Sequence, residues 1–295
     1  MSGRLCIFGE VLFDHFPDGK SVLGGAPFNV AWHLQAFGQW PFFISRVGAD
    51  ARGEEVRNAM FNWGMDTGGL QTDDQLPTGR VSIEFNDGEP QYDIVKPCAY
   101  DAIQSIALPA QCRLLYHGSL ALRDAISRQT LAGLQQTRPG LVFVDVNLRP
   151  PWWQLRQVQD MVQQADWVKL NADELKVLQP KGTDTSQELL RHYHLQGLIL
   201  TRGEAGAEVL TAAGDHFAVK PQASEDVVDT VGAGDAFASV MILGLANDWP
   251  LDVTLERAQA FASALVSRRG ATVSDPAFYQ DFINAWQLQA INRDK

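Results

Sequence analysis

The chain has 295 residues, of which 45% are hydrophobic and 20% are charged, enough for one large α/β domain or two modest ones. Its 24 basic and 35 acidic residues give a net charge of −11 without any basic block, which argues against nucleic-acid or anionic-membrane surfaces. Cys6, Cys98 and Cys112 are too few and too scattered for a disulfide framework or a zinc site. Because no signal peptide or membrane-spanning run is recognisable, we expect a cytoplasmic protein.

The first segment contains an apolar run and an incomplete P-loop pattern. Residues 4–9 are typical of a buried strand, and residues 10–21 indicate a mixed loop or a small hairpin. The sequence GKS at 19–21 resembles the end of a P-loop. That pattern needs a glycine five positions before Gly19, where Asp14 stands, so the P-loop interpretation fails.

A pair of glycines, Gly24 and Gly25, stands at the start of the next predicted helix. Pro27 lies near its beginning and Gly38 just past its end, so we expect about three helical turns. Paired glycines let the backbone approach a ligand closely, and Asn29 offers both a donor and an acceptor there. An ordinary glycine turn with a solvated Asn29 is the alternative.

The pattern changes after a predicted strand at 42–48 and a predicted helix at 53–63. Residues 79–85 and 91–95 alternate polar and apolar side chains across a turn at 86–90. This alternation predicts a hairpin with one exposed face. Within an α/β chain, such a hairpin is a candidate for a lid or for a dimer surface.

From residue 101 onward, apolar strands alternate with helices. We predict strands at 114–118, 141–145, 167–170 and 198–201, and helices at 123–137, 152–164, 172–179, 251–268 and 276–288. This order indicates a parallel sheet with helices on both faces, where ligands bind at the carboxyl ends of the strands. Polar or glycine residues stand at three of those ends, although each could be an ordinary loop residue: Asn147, Arg149, Lys169, Asn171, Glu174, Thr201, Arg202 and Gly203.

The sequence DTVGAGDAF at 229–237 places two glycines and an acid at the start of a helix. The apolar spacing that follows predicts that one face of this helix packs on a core. Unpartnered N–H groups and the helix dipole make such a start an anion site, most often for phosphate. A carboxylate such as Asp235 is unfavourable in a phosphate site because the two negative charges repel each other. Its presence is explained if it takes a proton from the group that attacks the phosphate. The alternative is an acid favoured by the dipole beside a glycine turn.

Four motifs in this order resemble those of the PfkB (ribokinase-like) sugar kinase family. They are Gly24–Gly25 with Asn29, the N-x-x-E sequence at 171–174, the T-x-G-x-x-G sequence at 201–206, and the D-T-x-G-A-G-D sequence at 229–235. Segments 24–34, 77–79 and 145–153 are most similar to those of bacterial fructokinases. The resemblance spans nearly the whole chain. One departure is Ser239–Val240, where the family usually carries a small residue and a glycine.

The resemblance implies one ribokinase-like domain over 1–295, a three-layer α/β/α fold with a mostly parallel sheet. A small β-sheet lid would come from about 11–23 and 78–98. It further implies ATP-dependent phosphorylation of a sugar primary hydroxyl, with Asp235 as general base beside Gly232, Ala233 and Gly234. Expected sugar-binding residues are Asp14, Gly24, Gly25, Asn29, Arg80 and Arg149. Expected ATP- or phosphate-binding residues are Lys169, Asn171, Thr201, Gly203 and Gly206.

Cofactors and partners follow from the same resemblance. Glu174, with Asn171, is expected to hold Mg²⁺ through water. A K⁺ site is a further hypothesis, and it would involve Asp229, Val231, Gly270 and Ser274. The expected partners are a sugar and ATP, with a homodimer formed through the β-lid, and without nucleic acid or membrane.

Other interpretations remain open at this point. Fructose is the favoured acceptor, and 2-keto-3-deoxygluconate, ribose or a nucleoside-like riboside are alternatives. An acid sugar needs a cation in its pocket, for which Arg80 and Arg149 are the candidates. Arg149 could instead form a salt bridge with Asp145. A sugar- or nucleotide-binding protein without turnover is a less favoured alternative, and a Rossmann dehydrogenase fails because G-x-G-x-x-G is missing after the first strand.

Overall fold

The computed structural model describes residues 3–86, 89–179, 185–221 and 227–288. Side chains are described in these ranges except within 83–92. In chain order the strands are β1 (Arg4–Phe8), β2 (Leu12–His15), β3 (Ser21–Gly24), β4 (Phe42–Gly48), β5 (Leu70–Asp73), β6 (Gly79–Asn86), β7 (Glu89–Ile94), β8 (Cys112–His117), β9 (Val142–Asp145), β10 (Trp167–Asn171), β11 (Gly197–Thr201), β12 (Ala207–Thr211) and β13 (His216–Val219). The helices are α1 (Ala26–Ala36), α2 (Ala51–Asn62), α3 (Ala125–Gln136), α4 (Leu155–Gln163), α5 (Ala172–Leu178), α6 (Ser186–His192), α7 (Ala233–Ala246), α8 (Leu251–Leu265) and α9 (Pro276–Ala285).

Within the described ranges, nine strands form the large sheet, in the order β13-β12-β11-β10-β9-β8-β1-β4-β5. All neighbours from β5 to β11 are parallel, and only β12 and β13 run antiparallel at one edge. The α/β prediction of a mostly parallel central sheet is confirmed.

Side chains of β1 show why both faces of this sheet are covered. Leu5 and Ile7 pack into one apolar cluster, whereas Cys6 and Phe8 pack into another on the opposite face. The first cluster joins the sheet to α1, α2, α7, α8 and α9, and the clusters of the other face join it to α3, α4, α5 and α6. This is the predicted three-layer α/β/α arrangement.

Helix α7 is buried further than its sequence pattern predicted. We expected one face against the core, but residues 236–244 are all buried. The helix lies between α1 and α8, so it has apolar neighbours on every side. Its first turn, 233–235, precedes this buried stretch and is partly open to solvent.

The small sheet has the strand order β3-β2-β6-β7. Segment 10–21 thus contributes to a hairpin, and the predicted hairpin of 79–95 is present as β6 and β7. The parallel pairing of β2 with β6 joins the two hairpins. The predicted turn at 86–90 includes residues 87 and 88, which lie outside the described residues.

The starts of α2 and α3 differ from their predictions because side chains cap these helices. Helix α2 begins at Ala51, before the predicted residue 53, since the Asp50 carboxylate accepts a hydrogen bond from the Gly53 N–H at 2.8 Å. The predicted helix at 123–137 is a 3₁₀ turn over Leu120–Arg123 followed by α3. Across the described parts of the chain, no helix has the length and apolarity needed to cross a membrane.

Candidate active site

The carboxyl ends of β1, β9, β10 and β11 meet at one edge of the large sheet. Lys169 pairs with Asp145 across β9 and β10, and Asn171 pairs with Thr201 across β10 and β11. Because the strands are parallel, these four side chains lie at the edge where ligands bind in such sheets. The structure therefore brings together several of the residues that the sequence singled out.

Helix α7 begins at this edge with a turn that only glycine fits well. Gly232 is its N-cap, in the left-handed conformation with φ 79°. A Cβ atom there would collide with Ala271, so the turn is also packed too closely for a side chain. The N–H groups of Ala233 and Gly234 then lie in the first turn, where a helix attracts anions.

Asp235, in the same first turn, is held by an amide from α1. The Asn29 Nδ2 atom donates a hydrogen bond to Asp235 Oδ2 at 2.7 Å. Burial raises the pKa of Asp235 to about 6, and the nearby Asp145 charge adds to the rise, whereas Asn29, Lys169 and Arg149 oppose it. A carboxylate with this pKa accepts a proton more readily than an ordinary aspartate, so it is suited to general-base chemistry near neutral pH.

Lys169 and Asp145 form a buried ion pair beneath the start of α7. The Lys169 Nζ atom donates to the two Asp145 carboxylate oxygens at 3.0 and 2.9 Å. A Cβ atom on Gly234 would lie 3.6 Å from Nζ. The ammonium group is thus fixed beside the anion-binding turn.

The same ion pair bears on the alternative partner of Arg149. Asp145 is paired with Lys169, whereas the Arg149 guanidinium is exposed and donates to the Leu148 carbonyl at 3.2 Å. The positive charge of Arg149 lowers the pKa of both Asp14 and Asp235 against the effect of burial. The charge of Arg149 therefore acts on the acidic part of the site, although its guanidinium forms no ion pair with Asp14 or Asp235 among the described residues.

Asp14, Gly24, Gly25 and Asn29 lie together, and Asn29 joins this cluster to Asp235. A Cβ atom on Gly24 would lie 3.6 Å from Asp14 Oδ2 and 3.9 Å from Asn29 Oδ1. Burial raises the pKa of Asp14 to about 6. Within the part of the chain that the structure describes, the buried Asn29 Oδ1 atom has no hydrogen-bond partner. These groups leave acceptor capacity available to a bound polyol.

Gly25 is constrained by the neighbouring chain. It has φ 110°, and a Cβ atom there would lie 2.7 Å from the Glu10 carbonyl oxygen. A side chain at this position would displace the end of β1 from the start of α1. The second glycine of the pair is thus required by the close approach of two backbones.

Arg80 is not brought to this cluster. In the small sheet Arg80 pairs with Phe13, whereas Asp14 pairs with Val81. Because neighbouring residues of a strand point to opposite faces, the Arg80 side chain leaves the sheet on the face opposite to Asp14. It is exposed to solvent there.

Glu174 is held at the start of α5 by a reciprocal capping arrangement with Asn171. Its Oε2 atom accepts from the Asn171 N–H at 2.9 Å, and its Oε1 atom accepts from the Leu148 N–H at 2.8 Å. Burial raises the pKa of Glu174, and the Asp145 charge adds to this effect against the two N–H donors. Each oxygen keeps further acceptor capacity, and carboxylate oxygen suits a Mg²⁺ ion held through water.

We expect Glu174→Gln to raise the magnesium concentration for half-maximal activity several-fold, because the amide removes a negative charge and one acceptor oxygen. The measurement is a magnesium titration of turnover at fixed ATP. Glu188→Gln is the matched control, since Glu188 completes the same kind of capping box with Thr185 at α6. A Glu174→Gln titration that overlays the wild-type curve would contradict a role in metal binding.

The predicted nucleotide segment forms a tight turn between β11 and β12. Gly203 and Gly206 both have positive φ, 56° and 97°, and the Arg202 N–H donates to the Gly206 carbonyl at 2.8 Å. A Cβ atom on Gly206 would collide with Val219 of β13. Thr201 lies at the base of this turn, next to Asn171 in register.

The candidate K⁺ residues are partly gathered. The Asp229 carboxylate accepts hydrogen bonds from the N–H groups of Val231 and Gly270, each at 3.0 Å. This carboxylate therefore joins the segment before α7 to the segment after α8. Ser274 lies four residues beyond Gly270, in an exposed position.

Glu10 is a site residue that the sequence reasoning missed. It is separated from the end of β1 by Gly9, it is 4% exposed, and its Oε2 atom has no hydrogen-bond partner among the described residues. Burial raises its pKa to about 7, against N–H donors from Glu10 itself and Ala121 and the Arg149 charge. An acid just after an apolar strand was the available signal, because parallel strands end at the functional edge.

A buried carboxylate with a raised pKa beside a glycine-rich helix start, with a fixed lysine and a second polar cluster close by, is an arrangement suited to phosphoryl transfer. Residues 7–277 match the pfkB family carbohydrate kinase. The chain belongs to this family, and it is an ATP-dependent carbohydrate kinase. The resemblance and the enzyme class predicted from the sequence are confirmed.

Three relatives span nearly the full chain. The fructokinase of Salmonella typhimurium is 32% identical over 96% of this chain and 99% of its own. The crystal structure of aminoimidazole riboside kinase from Salmonella enterica, with aminoimidazole riboside and an ATP analog, is 26% identical with a TM-score of 0.80, covering 97% of this chain and all of its own. The fructokinase from Vibrio cholerae O395, with fructose, ADP and calcium ion bound, is 26% identical with a TM-score of 0.77, covering 94% and 98%.

Proposed function

We propose that this kinase is a fructokinase that transfers the γ-phosphoryl group of ATP to fructose and forms fructose 6-phosphate. The observation that supports this best is the polar cluster beside Asp235. Asp14 and Asn29 surround the paired glycines with a carboxylate and an amide, which suit the hydroxyls of a neutral sugar. The fructokinases of Salmonella typhimurium and Vibrio cholerae are among the similar proteins.

In the proposed mechanism, Asp235 takes the proton of the sugar primary hydroxyl as that oxygen attacks the γ-phosphorus. Asn29 orients the Asp235 carboxylate through its 2.7 Å hydrogen bond. The N–H groups of Ala233, Gly234 and Asp235 stabilise the charge on the transferred group, and Lys169 adds a fixed positive charge beside them.

Cofactor roles are part of the same proposal. Mg²⁺ bound to ATP would neutralise phosphate charge, and Glu174 and Asn171 would hold its water ligands. Thr201, Gly203 and Gly206 would line the nucleotide side. K⁺ would bind near Asp229, Val231, Gly270 and Ser274, where the Asp229 carboxylate joins two backbone segments.

The small sheet, built from segments within 11–23 and 78–98, would act as a lid over the sugar. Closure would exclude water, which otherwise competes as phosphoryl acceptor. Val22 of β3 and Phe16, directly after β2, are exposed apolar side chains, and we propose that a homodimer forms through the small sheet. We further propose that the protein works in the cytoplasm as a single domain over 1–295.

Three alternative acceptors differ in how the site supports them. An acid sugar such as 2-keto-3-deoxygluconate would rely on Arg149 alone, because Arg80 leaves the small sheet on the face opposite to Asp14. A riboside is supported by the similarity to aminoimidazole riboside kinase. Ribose presents a primary hydroxyl as well, so it belongs in the same comparison.

The deciding experiment is a coupled ADP-release assay over fructose, ribose, 2-keto-3-deoxygluconate and several nucleosides. We expect the highest kcat/KM with fructose and a product phosphorylated at the primary hydroxyl. A higher kcat/KM with a riboside would replace fructose as the acceptor. Binding of sugar and ATP without ADP release from any of them would indicate a protein that binds without turnover.

A further inference from the structure

Arg123, at the end of the 3₁₀ turn that follows β8, forms a buried ion pair away from the reacting groups. Its Nε and Nη2 atoms donate to the two oxygens of Asp101 at 2.6 and 2.9 Å. The two side chains are 1% and 4% exposed. Such a fork of parallel hydrogen bonds fixes the plane of the guanidinium as well as its position.

The ion pair lies where the chain leaves the small sheet. Arg123 Nη2 also donates to the Val95 carbonyl at 2.7 Å, directly after β7. The Asp101 carboxylate accepts from the Cys98 N–H at 2.8 Å. On the other connecting segment, the start of β6 at Gly79 is packed so tightly that a Cβ atom would lie 2.5 Å from the Tyr100 ring.

The same guanidinium supports the turn that carries Arg149. The Trp152 ring covers it, with the Arg123 Cζ atom 4.6 Å from the ring centroid. The Trp152 N–H donates to the Arg149 carbonyl at 2.8 Å and closes the turn. Arg149 in turn acts electrostatically on Asp14 and Asp235.

We propose that Arg123 is a positioning residue that couples the small sheet to the 149–152 turn, so that the sheet and Arg149 approach the sugar together. One side of its fork holds the base of β7, and its flat face holds Trp152. Lysine offers a point charge without a fork or a stacking plane, so it cannot make both contacts at once. The inference rests on the proposed sugar-kinase function and concerns the sugar half of that site.

The test compares Arg123→Lys and Trp152→Leu with wild type in steady-state kinetics. We expect each variant to raise the KM for the sugar about tenfold, because a small misplacement of binding groups weakens positioning, and to change the KM for ATP less than twofold. The double variant should be no worse than the more impaired single variant, since both changes break one link.

Arg46→Lys is the matched control, because Arg46 pairs with the buried Asp73 at 3.0 Å instead of with the small sheet or Trp152. It should lower thermal stability without raising the KM for the sugar. The proposal is overturned if Arg123→Lys and Trp152→Leu lower stability only, or if they raise both KM values equally. Should Arg123→Lys fail to fold, an unchanged sugar KM in Trp152→Leu also overturns it.

The acceptor used is the one that wild type phosphorylates best, with fructose tested first. If wild type phosphorylates another sugar better than fructose, the proposed substrate is wrong. The coupling through Arg123 is then tested with that sugar. Normal fructose turnover in wild type with an unchanged sugar KM in both variants refutes the coupling alone.

Discussion

Replacing Asp235 by asparagine is expected to lower kcat by about three orders of magnitude, which is the usual contribution of a positioned general base. Asparagine has the same shape, and its carbonyl oxygen can still accept the Asn29 hydrogen bond that holds Asp235 at 2.7 Å. Only the ability to take the sugar proton is lost. The fold, measured by circular dichroism and thermal unfolding, and ATP binding, measured by calorimetry, should therefore be preserved.

Asp252→Asn is the matched control for this variant. Asp252 lies in the first turn of α8, as Asp235 lies in the first turn of α7. If Asp235 served only to complement the helix dipole, the two substitutions would have similar effects, a loss of about 0.3–1 kcal/mol of stability with turnover unchanged. Near wild-type turnover in Asp235→Asn would remove Asp235 as the base.

The pH profile provides a second readout of the same prediction. Burial raises the pKa of Asp235 from 3.8 to about 6, so its basic form is the minority species below that pH. The wild-type kcat/KM should then fall about tenfold per pH unit below pH 6. The pKa of Asp14 is also raised to about 6, so the wild-type profile alone does not identify the titrating group. If Asp235 is that group, the acidic limb of the kcat/KM profile should flatten in Asp235→Asn. A limb of equal slope in both proteins would assign it to another group.

The central layers of the fold could be predicted because their signals are local. Apolar runs such as 114–118 and 141–145, separated by helical stretches, indicate a covered parallel sheet, and β8 and β9 lie there. The edge hairpin of β12 and β13 went unpredicted. Its outer strand has an alternating exposed and partly buried pattern, which resembles a loop when no neighbouring strand is known. Pairing between strands is a non-local property that a single segment does not encode.

In the site, too, locally encoded features could be predicted and features that depend on strand pairing could not. The glycine turn at 232–235 and the capping pair of Asn171 and Glu174 were recognisable because helix starts have local rules. The partner of Asp145 was not, since Lys169 in the next strand and Arg149 in the loop after β9 each carry one positive charge near the same sheet edge. Only the register of β9 against β10, which places Lys169 directly opposite, decides between them.

Burial is the main cause of the raised pKa of Asp235, and residues distant in the sequence modify it, since Asp145 raises it further whereas Asn29 and Lys169 lower it. Its amide partner, Asn29, lies 206 residues earlier in the chain, and neighbouring strands contribute Asp145 and Lys169. The net charge of −11 therefore says little about the field at the site. Local donors and one fixed lysine, instead of a positive surface, receive the phosphate in the proposed mechanism.

Replacing Lys169 by methionine should have the largest combined effect on stability and turnover. The side chains of Lys169 and Asp145 are 8% and 2% exposed, so the substitution leaves a buried carboxylate without its cation. Breaking a buried pair in this way costs about 3–5 kcal/mol, measured as a shift in urea unfolding. Turnover should fall by about two to three orders of magnitude, because the fixed charge beside Gly234 is lost where negative charge develops.

The double variant Asp145→Asn with Lys169→Met separates the two roles. Neutralising the carboxylate removes the unpaired charge, so most of the lost stability should return. Turnover should stay low, because no ammonium group remains beside the start of α7. If the double variant regains both stability and turnover, Lys169 serves only to neutralise Asp145, and the N–H groups of α7 with Mg²⁺ must then carry the transferred phosphoryl group without it.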